Sequence, residues 1–135
     1  MTNREDESIR NVLSRYYESF GRDAAAASSC FGEPSMIMTA NDVILLESRA
    51  QVEATLEKFA AGLRPGGFSH STMGDCRTRL LNSTTALCSV VAIRVKDDGS
   101  EMSRAGFTYL LHKGDAGWRI HEFIATDTDK LIASD

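Results

Sequence analysis

Two histidines are the residues of this sequence best suited to move a proton. His70 and His121 both lie in stretches rich in β-branched and aromatic residues. An imidazole titrates near neutral pH, so either one could serve as a general acid or base. Each could equally be a hydrogen-bonded histidine without a catalytic role. The third histidine, His112, lies beside a turn and is expected to face solvent.

A guanidinium and two tyrosines could hold a ligand. Tyr16 and Tyr17 are adjacent, and although such tyrosines more often pack in a core, one hydroxyl could reach a cavity. Burying Arg104 would imply a carboxylate partner or an anionic ligand, whereas a position at a strand edge would leave it in solvent. The predicted catalytic groups are His70, His121 and Tyr16, and the predicted ligand-binding groups are Arg104, Phe123, Tyr17 and Thr72.

The three cysteines do not suggest a metal site or a disulfide framework. Cys30, Cys76 and Cys88 are odd in number and contain no CxxC spacing. The histidines show no i, i+4 pair, so neither a metal nor another cofactor is predicted. Cys76 lacks an assignable base, and covalent catalysis is therefore not expected. Reduced thiols favour a cytoplasmic location.

Composition bounds the class of protein and its partners. The 135 residues predict one domain, residues 1–135, with an ordered core at about 8–127. A net charge of −4 and a pI near 5.4 argue against nucleic acid, which usually requires a basic face. No polybasic cluster is present, and no apolar run approaches the roughly 20 residues of a membrane span. Neither nucleic acid nor membrane is a predicted partner.

Helical periodicity and capping residues predict three helices in the first half of the chain. The first carries an apolar stripe and ends at Gly21, and the second, residues 24–30, begins after the cap Asp23. Short strands at residues 36–39 and 43–46 follow a predicted break at residues 32–35. Ser48 then opens a third helix. The stripe of the first helix consists of Ile9, Val12, Leu13, Tyr16, Tyr17 and Phe20.

The last third of the chain reads as an antiparallel meander. Strand-like runs at residues 86–96, 102–112 and 118–126 are joined by turns containing Asp-Gly and Gly-Asp-Ala-Gly. A further strand, residues 68–81, precedes them. Helices and antiparallel strands that segregate along the chain predict an α+β fold with the helices over one face of the sheet.

Turn positions predict which strand residues lie opposite each other. The resulting pairs include His70–Val95, Thr72–Ile93, Cys76–Ser89, Ile93–Arg104, Val91–Gly106, Leu110–His121 and Thr108–Phe123. Side chains alternate between the two faces of a strand, so these pairs define two faces of the sheet. One face is almost wholly apolar. The other, a mixed face, holds His70, His121, Arg104, Thr72 and Phe123. The mixed face is predicted to form the cavity, since ligand sites combine apolar walls with a few polar groups. The apolar face is predicted to be a dimer interface, and consists of Cys88, Val90, Ala92, Phe107, Tyr109, Leu111, Trp118, Ile120 and Ile124.

The element order, the first-helix stripe with its paired tyrosines, and the ending Gly-Trp-Arg-Ile-His-Glu-Phe at residues 117–123 resemble the nuclear transport factor 2-like superfamily. The closest branch looks like the SnoaL-like and ketosteroid-isomerase-like proteins. The resemblance implies a cystatin-like cone, in which a curved mixed or antiparallel sheet wraps around N-terminal helices, with a pocket at its open end. It also implies a homodimer. Here the predicted interface is the apolar face, taken as the side of the sheet that lies away from the helices.

The resemblance implies several functions, because isomerases, cyclases, dehydratases and kinase association domains share the fold. The isomerases use a helix-1 tyrosine, which Tyr16 or Tyr17 matches, together with two acids. Glu122 and Asp75 are expected to point away from the mixed face, so that mechanism is not expected. The predicted function is the binding of a small organic ligand in a partly apolar cavity on the concave sheet face. The alternative is an isomerase, cyclase or dehydratase that uses a cavity histidine.

Overall fold

The computed structural model describes residues 3–133, which form helices packed on one six-stranded sheet. None of the helices in this range is long and apolar enough to cross a membrane. The helices are α1 (Asn3–Ser19), α2 (Ala24–Ser28) and α3 (Arg49–Leu63), followed by one 3-10 turn (Arg64–Gly66). The strands are β1 (Phe31–Met38), β2 (Val43–Leu46), β3 (Phe68–Asn82), β4 (Thr85–Lys96), β5 (Glu101–Gly114) and β6 (Gly117–Thr126).

Side-chain caps fix where the second and third helices begin, as predicted. The Asp23 carboxylate accepts a hydrogen bond from the Ala26 backbone N–H at 3.1 Å. Ser48 Oγ accepts from the Gln51 N–H at 3.3 Å, and Gln51 Oε1 accepts from the Glu47 N–H at 2.7 Å. The bonds from Ala26 and Gln51 satisfy first-turn N–H groups that have no partner within their helix, and the third bond holds Glu47, the residue before the cap, against α3.

The sheet is mixed, with strand order β2-β1-β6-β5-β4-β3. Every neighbouring pair is antiparallel except β1 and β6, which are parallel. β1 begins at Phe31, so the predicted break at residues 32–35 is wrong. Phe31 pairs with Ile120 before an irregularity, and pairing resumes between Met36 and Glu122. The predicted α+β, cystatin-like arrangement is confirmed.

A β-bulge in the last hairpin changes which face Phe123 occupies. The predicted pairs Leu110–His121 and Thr108–Phe123 are wrong by one residue. Leu110 pairs with Glu122 and Tyr109 with Phe123, because the register shifts between Leu110 and Leu111. A one-residue shift turns a side chain to the opposite face of a sheet. Phe123 therefore joins Tyr109 beneath the helices.

A second irregularity, in β3, moves a cysteine in the same way. His70–Val95 and Thr72–Ile93 pair as predicted, but Cys76 pairs with Val90 instead of Ser89, after a shift between Met73 and Cys76. Cys76 consequently points toward the helices. Its Sγ lies 3.4 Å from Cys88 Sγ, and both are free thiols.

The apolar face packs on the helices of its own chain, which corrects its assignment as a dimer interface. Cys88, Val90, Ala92, Tyr109, Leu111, Trp118 and Ile120 are buried in one core cluster with the α1 stripe. Of the predicted apolar set, Ile124 alone lies on the other face, paired with Thr108. We call the helix-facing side the inner face and the mixed side the outer face.

The chain after β6 crosses part of the outer face. The Ile132 backbone N–H donates to Ser89 Oγ at 3.1 Å, and the Ser89 and Thr108 hydroxyls are 2.8 Å apart. These contacts explain how Ser89 is fully buried on a face that the helices do not cover. The same contacts hold Ile132 against the sheet, although the sequence predicts an ordered core that ends at about residue 127.

Candidate ligand-binding site

A cavity of about 460 Å³ lies between α1, the end of α3 and the inner face of the sheet. This volume is within the range that encloses small organic ligands. On the α3 side, Lys58 and Gly62 are exposed, which places the opening there. The lining residues are Tyr16, Tyr17, Phe20, Thr39, Lys58, Phe59, Gly62, Leu63, Ser71, Ala92, Arg94, Phe107, Tyr109 and Phe123.

Aromatic rings in mutual contact form much of the wall. The Phe123 ring lies 4.7 Å from Phe107 and 5.2 Å from Tyr109, between ring centroids. Tyr16, from the α1 stripe, makes an edge contact with Phe123 at 6.2 Å. Tilted and edge-to-face contacts of this kind add to the stabilisation from apolar burial. The rings hold one another in place, so the cavity wall is preorganised.

Tyrosine hydroxyls supply uncharged polar groups in this wall. The Tyr17 and Tyr109 hydroxyls form a buried hydrogen bond of 2.8 Å. Tyr16 lines the cavity, and its hydroxyl has no hydrogen-bond partner among residues 3–133. A phenol can both donate and accept. The Tyr16 hydroxyl is therefore available to a bound molecule.

Burial keeps these phenols protonated. It raises the pKa of Tyr16 and of Tyr109 well above the usual range for tyrosine, and in each case a neighbouring tyrosine raises it further. The pKa of Tyr17 is also raised, mainly by burial, although its hydrogen bond with Tyr109 opposes the shift. The charge of Arg94 lowers the pKa of Tyr16 and Tyr17 by a lesser amount.

We expect the folded protein to show no tyrosine titrating near the usual pKa of about 10. All three tyrosines of the chain are in this cluster, with exposures of 4, 4 and 0% for Tyr16, Tyr17 and Tyr109. Because their folded-state pKa is above the unfolded value, their contribution to stability is complete below about pH 10 and is lost as pH rises further. Absorbance of tyrosinate should therefore appear together with unfolding.

The measurement is a parallel alkaline titration by tyrosinate absorbance and circular dichroism. Tyr16→Phe removes one titrating group, so its free energy of unfolding should fall less steeply above pH 10 than that of the unsubstituted chain. Tyrosinate absorbance that rises fully while the circular dichroism is unchanged would contradict this placement of the phenols.

Arg94 is a charged residue of the inner face that lines the cavity. It follows Val90 and Ala92 at two-residue intervals on β4 and pairs with Ser71 of β3, another lining residue. Its guanidinium carbon lies 6.0 Å from the centre of the Phe107 ring, a cation–π distance. Arg94 is half-buried, and no lining residue is acidic.

Three of the seven predicted site residues line the cavity, although Phe123 does so from the opposite face of the sheet to the one predicted. Tyr16, Tyr17 and Phe123 line the cavity, whereas His70, His121, Arg104 and Thr72 do not. The cavity is on the inner face, so the residues of the mixed face lie on the wrong side of the sheet to reach it. Phe123 reaches the cavity because of the bulge in β6.

The two histidines have local roles outside the cavity. His121 Nδ1 is 2.8 Å from the Pro34 carbonyl oxygen, and its ring packs where a side chain at Gly32 would lie. His70 Nδ1 is 3.0 Å from the hydroxyl of Ser69. Both histidines are partly exposed. Their prediction as cavity groups is wrong.

Arg104 and Thr72 are exposed on the outer face. The Arg104 guanidinium donates to both carboxylate oxygens of Glu101 at 2.9–3.1 Å. This exposed ion pair satisfies the guanidinium without a ligand. The arginine that lines the cavity is instead Arg94, which the sequence analysis missed. Its signal was the spacing from Val90 and Ala92, which places Arg94 on the same face.

The fold and the concave inner cavity define a cystatin-like protein of the α+β class. Residues 5–128 match the family described as NTF2-like protein (DUF6841). The chain belongs to this family, which confirms the resemblance to the nuclear transport factor 2-like superfamily. No curated protein matches the chain in sequence.

Solved structures with the same fold share little sequence with the chain. A domain of unknown function with a cystatin-like fold from Nostoc punctiforme is 23% identical, with 98% of this chain and 81% of that chain covered and a TM-score of 0.73. An NTF2-like protein from Novosphingobium aromaticivorans is 20% identical, with coverage of 93% and 83% and a TM-score of 0.72. A structure from Streptomyces avermitilis, described as a candidate dehydratase of the NTF2-like family, is 13% identical, with coverage of 95% and 99% and a TM-score of 0.71. At these sequence identities, the structural similarity shows only that the proteins share a fold.

Proposed function

We propose that this protein binds a small, largely apolar organic molecule in the cavity of the inner face. The observation that carries the proposal is an aromatic-walled space of about 460 Å³ that the chain's own side chains leave open. Protein interiors are normally packed to the density of organic crystals, and cavities of this size reduce stability. A bound molecule would recover the missing contacts.

The polar groups of the cavity support recognition of a ligand in a defined orientation. Tyr16 offers a hydroxyl that has no hydrogen-bond partner within the described range 3–133, the Tyr17–Tyr109 pair offers a second polar group, and Arg94 offers a positive charge. Apolar walls with a few convergent polar groups are typical of small-molecule sites. Affinity in such a site would come from the walls, and orientation from the hydroxyls and the guanidinium.

Catalysis by a cavity histidine is the alternative function that the sequence suggested. The candidate dehydratase from Streptomyces avermitilis has the same fold, but fold alone does not carry an activity from one protein to another. Neither His70 nor His121 lines the cavity. A phenol with a raised pKa is also a poor general base near neutral pH. Ligand binding is therefore the better-supported proposal, while the homodimer and the cytoplasmic location stay predictions.

Chemical-shift mapping with naphthalene-2-carboxamide, a flat uncharged probe, tests the proposal. Saturable shifts are expected at the methyl groups of Ala92 and Leu63, which line the cavity. The methyl groups of Val43 and Leu81, which are exposed elsewhere, serve as controls for non-specific contact. Shifts that do not saturate, or that are equally large at Val43 and Leu81, would overturn the proposed site.

A further inference from the structure

Arg94 lacks the carboxylate partner that four other arginines have among residues 3–133. Arg10, Arg64, Arg77 and Arg104 each form an ion pair with a carboxylate. The Arg94 guanidinium has no ion pair or hydrogen bond with any of residues 3–133, and its carbon lies 6.0 Å from the centre of the Phe107 ring. A half-buried guanidinium beside apolar walls loses hydration, and this loss is compensated when an anion pairs with it.

The residues that line this cavity carry positive charge only, although Arg94 also borders a neighbouring pocket whose lining includes Arg104 and Asp127. Lys58 is the only other charged residue among those that line the cavity, and it is exposed at the opening. The charge of Arg94 reaches the hydroxyls of Tyr16 and Tyr17, where it partly offsets the effect of burial on the pKa. The field in the cavity therefore favours a negative group, and no residue of the lining supplies one.

We propose that Arg94 binds the carboxylate of a flat, apolar monocarboxylic acid whose body occupies the aromatic cavity. This inference rests on the proposed function and names its ligand class. One planar guanidinium matches one carboxylate through two parallel hydrogen bonds. The guanidinium carbon lies 6.0 Å from the centre of the Phe107 ring, and the guanidinium N–H donors have no partner among residues 3–133, so they can meet the ligand. The rings of Phe59, Phe107 and Phe123 suit a flat hydrocarbon body.

The test compares naphthalene-2-carboxylate with naphthalene-2-carboxamide, which has nearly the same shape and no charge. By calorimetry, the unsubstituted protein should bind the carboxylate about tenfold to a hundredfold more tightly, the range for hydrogen bonds to charged groups. Arg94→Gln should remove this preference, so that the variant binds the two compounds about equally tightly. A circular dichroism spectrum and a Tm close to those of the unsubstituted protein show that the variant is folded. Arg94→Lys should retain part of the preference, because an ammonium supplies charge without the planar fork.

Arg104→Gln is the matched control, since Arg104 is an arginine of the neighbouring strand that faces away from the cavity. It should keep the full preference for the carboxylate. A loss in Arg104→Gln equal to that in Arg94→Gln would overturn the assignment of Arg94. Equal binding of the two compounds by the unsubstituted protein would also overturn it while leaving the proposed function in place. If neither compound binds, the proposed function fails and this inference fails with it.

Discussion

Gly62→Trp should abolish binding of naphthalene-2-carboxamide while the protein stays folded. Gly62 lies on α3 at the opening of the cavity, and a Cβ added there meets no atom within 4 Å. A side chain can therefore start from this position without a clash at its Cβ, and we expect a bulky indole at this lining position to block the opening. We expect the affinity measured by calorimetry to fall at least about tenfold, the loss that accompanies about 1.4 kcal/mol of binding energy.

Gly62→Ala is the control for the helical position itself. Glycine within a helix costs about 0.5–1 kcal/mol relative to alanine. This substitution should therefore raise Tm by about 2–5 °C and leave ligand affinity unchanged, since a methyl group does not reach across the opening. Full binding by a folded Gly62→Trp protein would show that ligands bind elsewhere and would remove the cavity from consideration.

Gly106→Ala should be among the most destabilising single substitutions in the sheet. Gly106 is buried in β5, between Val91 of β4 and Thr126 of β6. A Cβ at this position would overlap the Thr126 carbonyl oxygen, a backbone atom that can move only if β6 moves. Overpacking of this kind costs about 1–3 kcal/mol, which corresponds to a loss of roughly 3–12 °C in Tm.

Gly114→Ala is the matched control on the same strand. Its backbone does not have a positive φ, and an added Cβ meets no atom within 4 Å. We expect a change within about 0.5 kcal/mol, as for an ordinary surface substitution. Thermal and urea denaturation of both variants give the comparison. Equal stability of the two proteins would show that β5 and β6 are not as closely paired at Gly106 as described.

The effect of Gly106→Ala should extend to the cavity. Gly106 is next to Phe107, and β6 carries Phe123, which contacts the Phe107 ring at 4.7 Å between centroids. A displacement of β6 would separate these two rings and loosen the support of Arg94. Residual folded protein should therefore bind the carboxylate probe less tightly.

Much of the fold was predictable because its signals are local. The α1 stripe, the caps Asp23 and Ser48, and the turn at Gly99 each act through residues a few positions apart. Where a strand pair is regular, turn position alone also gave the correct partners, as for Ile93 with Arg104. β1 was predicted too short, because its first residues gain their pairing from β6, far away in sequence.

Part of the site was predictable for the same reason. Tyr16 and Tyr17 lie on the apolar stripe of α1, and any sheet that buries this stripe brings them to its inner face. The position of Arg94 on the inner face was also predictable, because Arg94 continues the alternation of Val90 and Ala92 on β4. It was missed because a cation was expected to lie with the other polar groups.

The sequence by itself determined the elements, their order and the α+β class, since helix periodicity, caps and turn residues are properties of neighbouring positions. Only the tertiary structure decided which sheet face forms the cavity. Both faces carry enough apolar residues to be covered, and the choice depends on how the helices pack. The bulges before Cys76 and before Phe123 then moved the side chains that follow them to the opposite face from the one predicted. A bulge is a one-residue difference in pairing between strands, and it leaves no periodic signal in either strand alone.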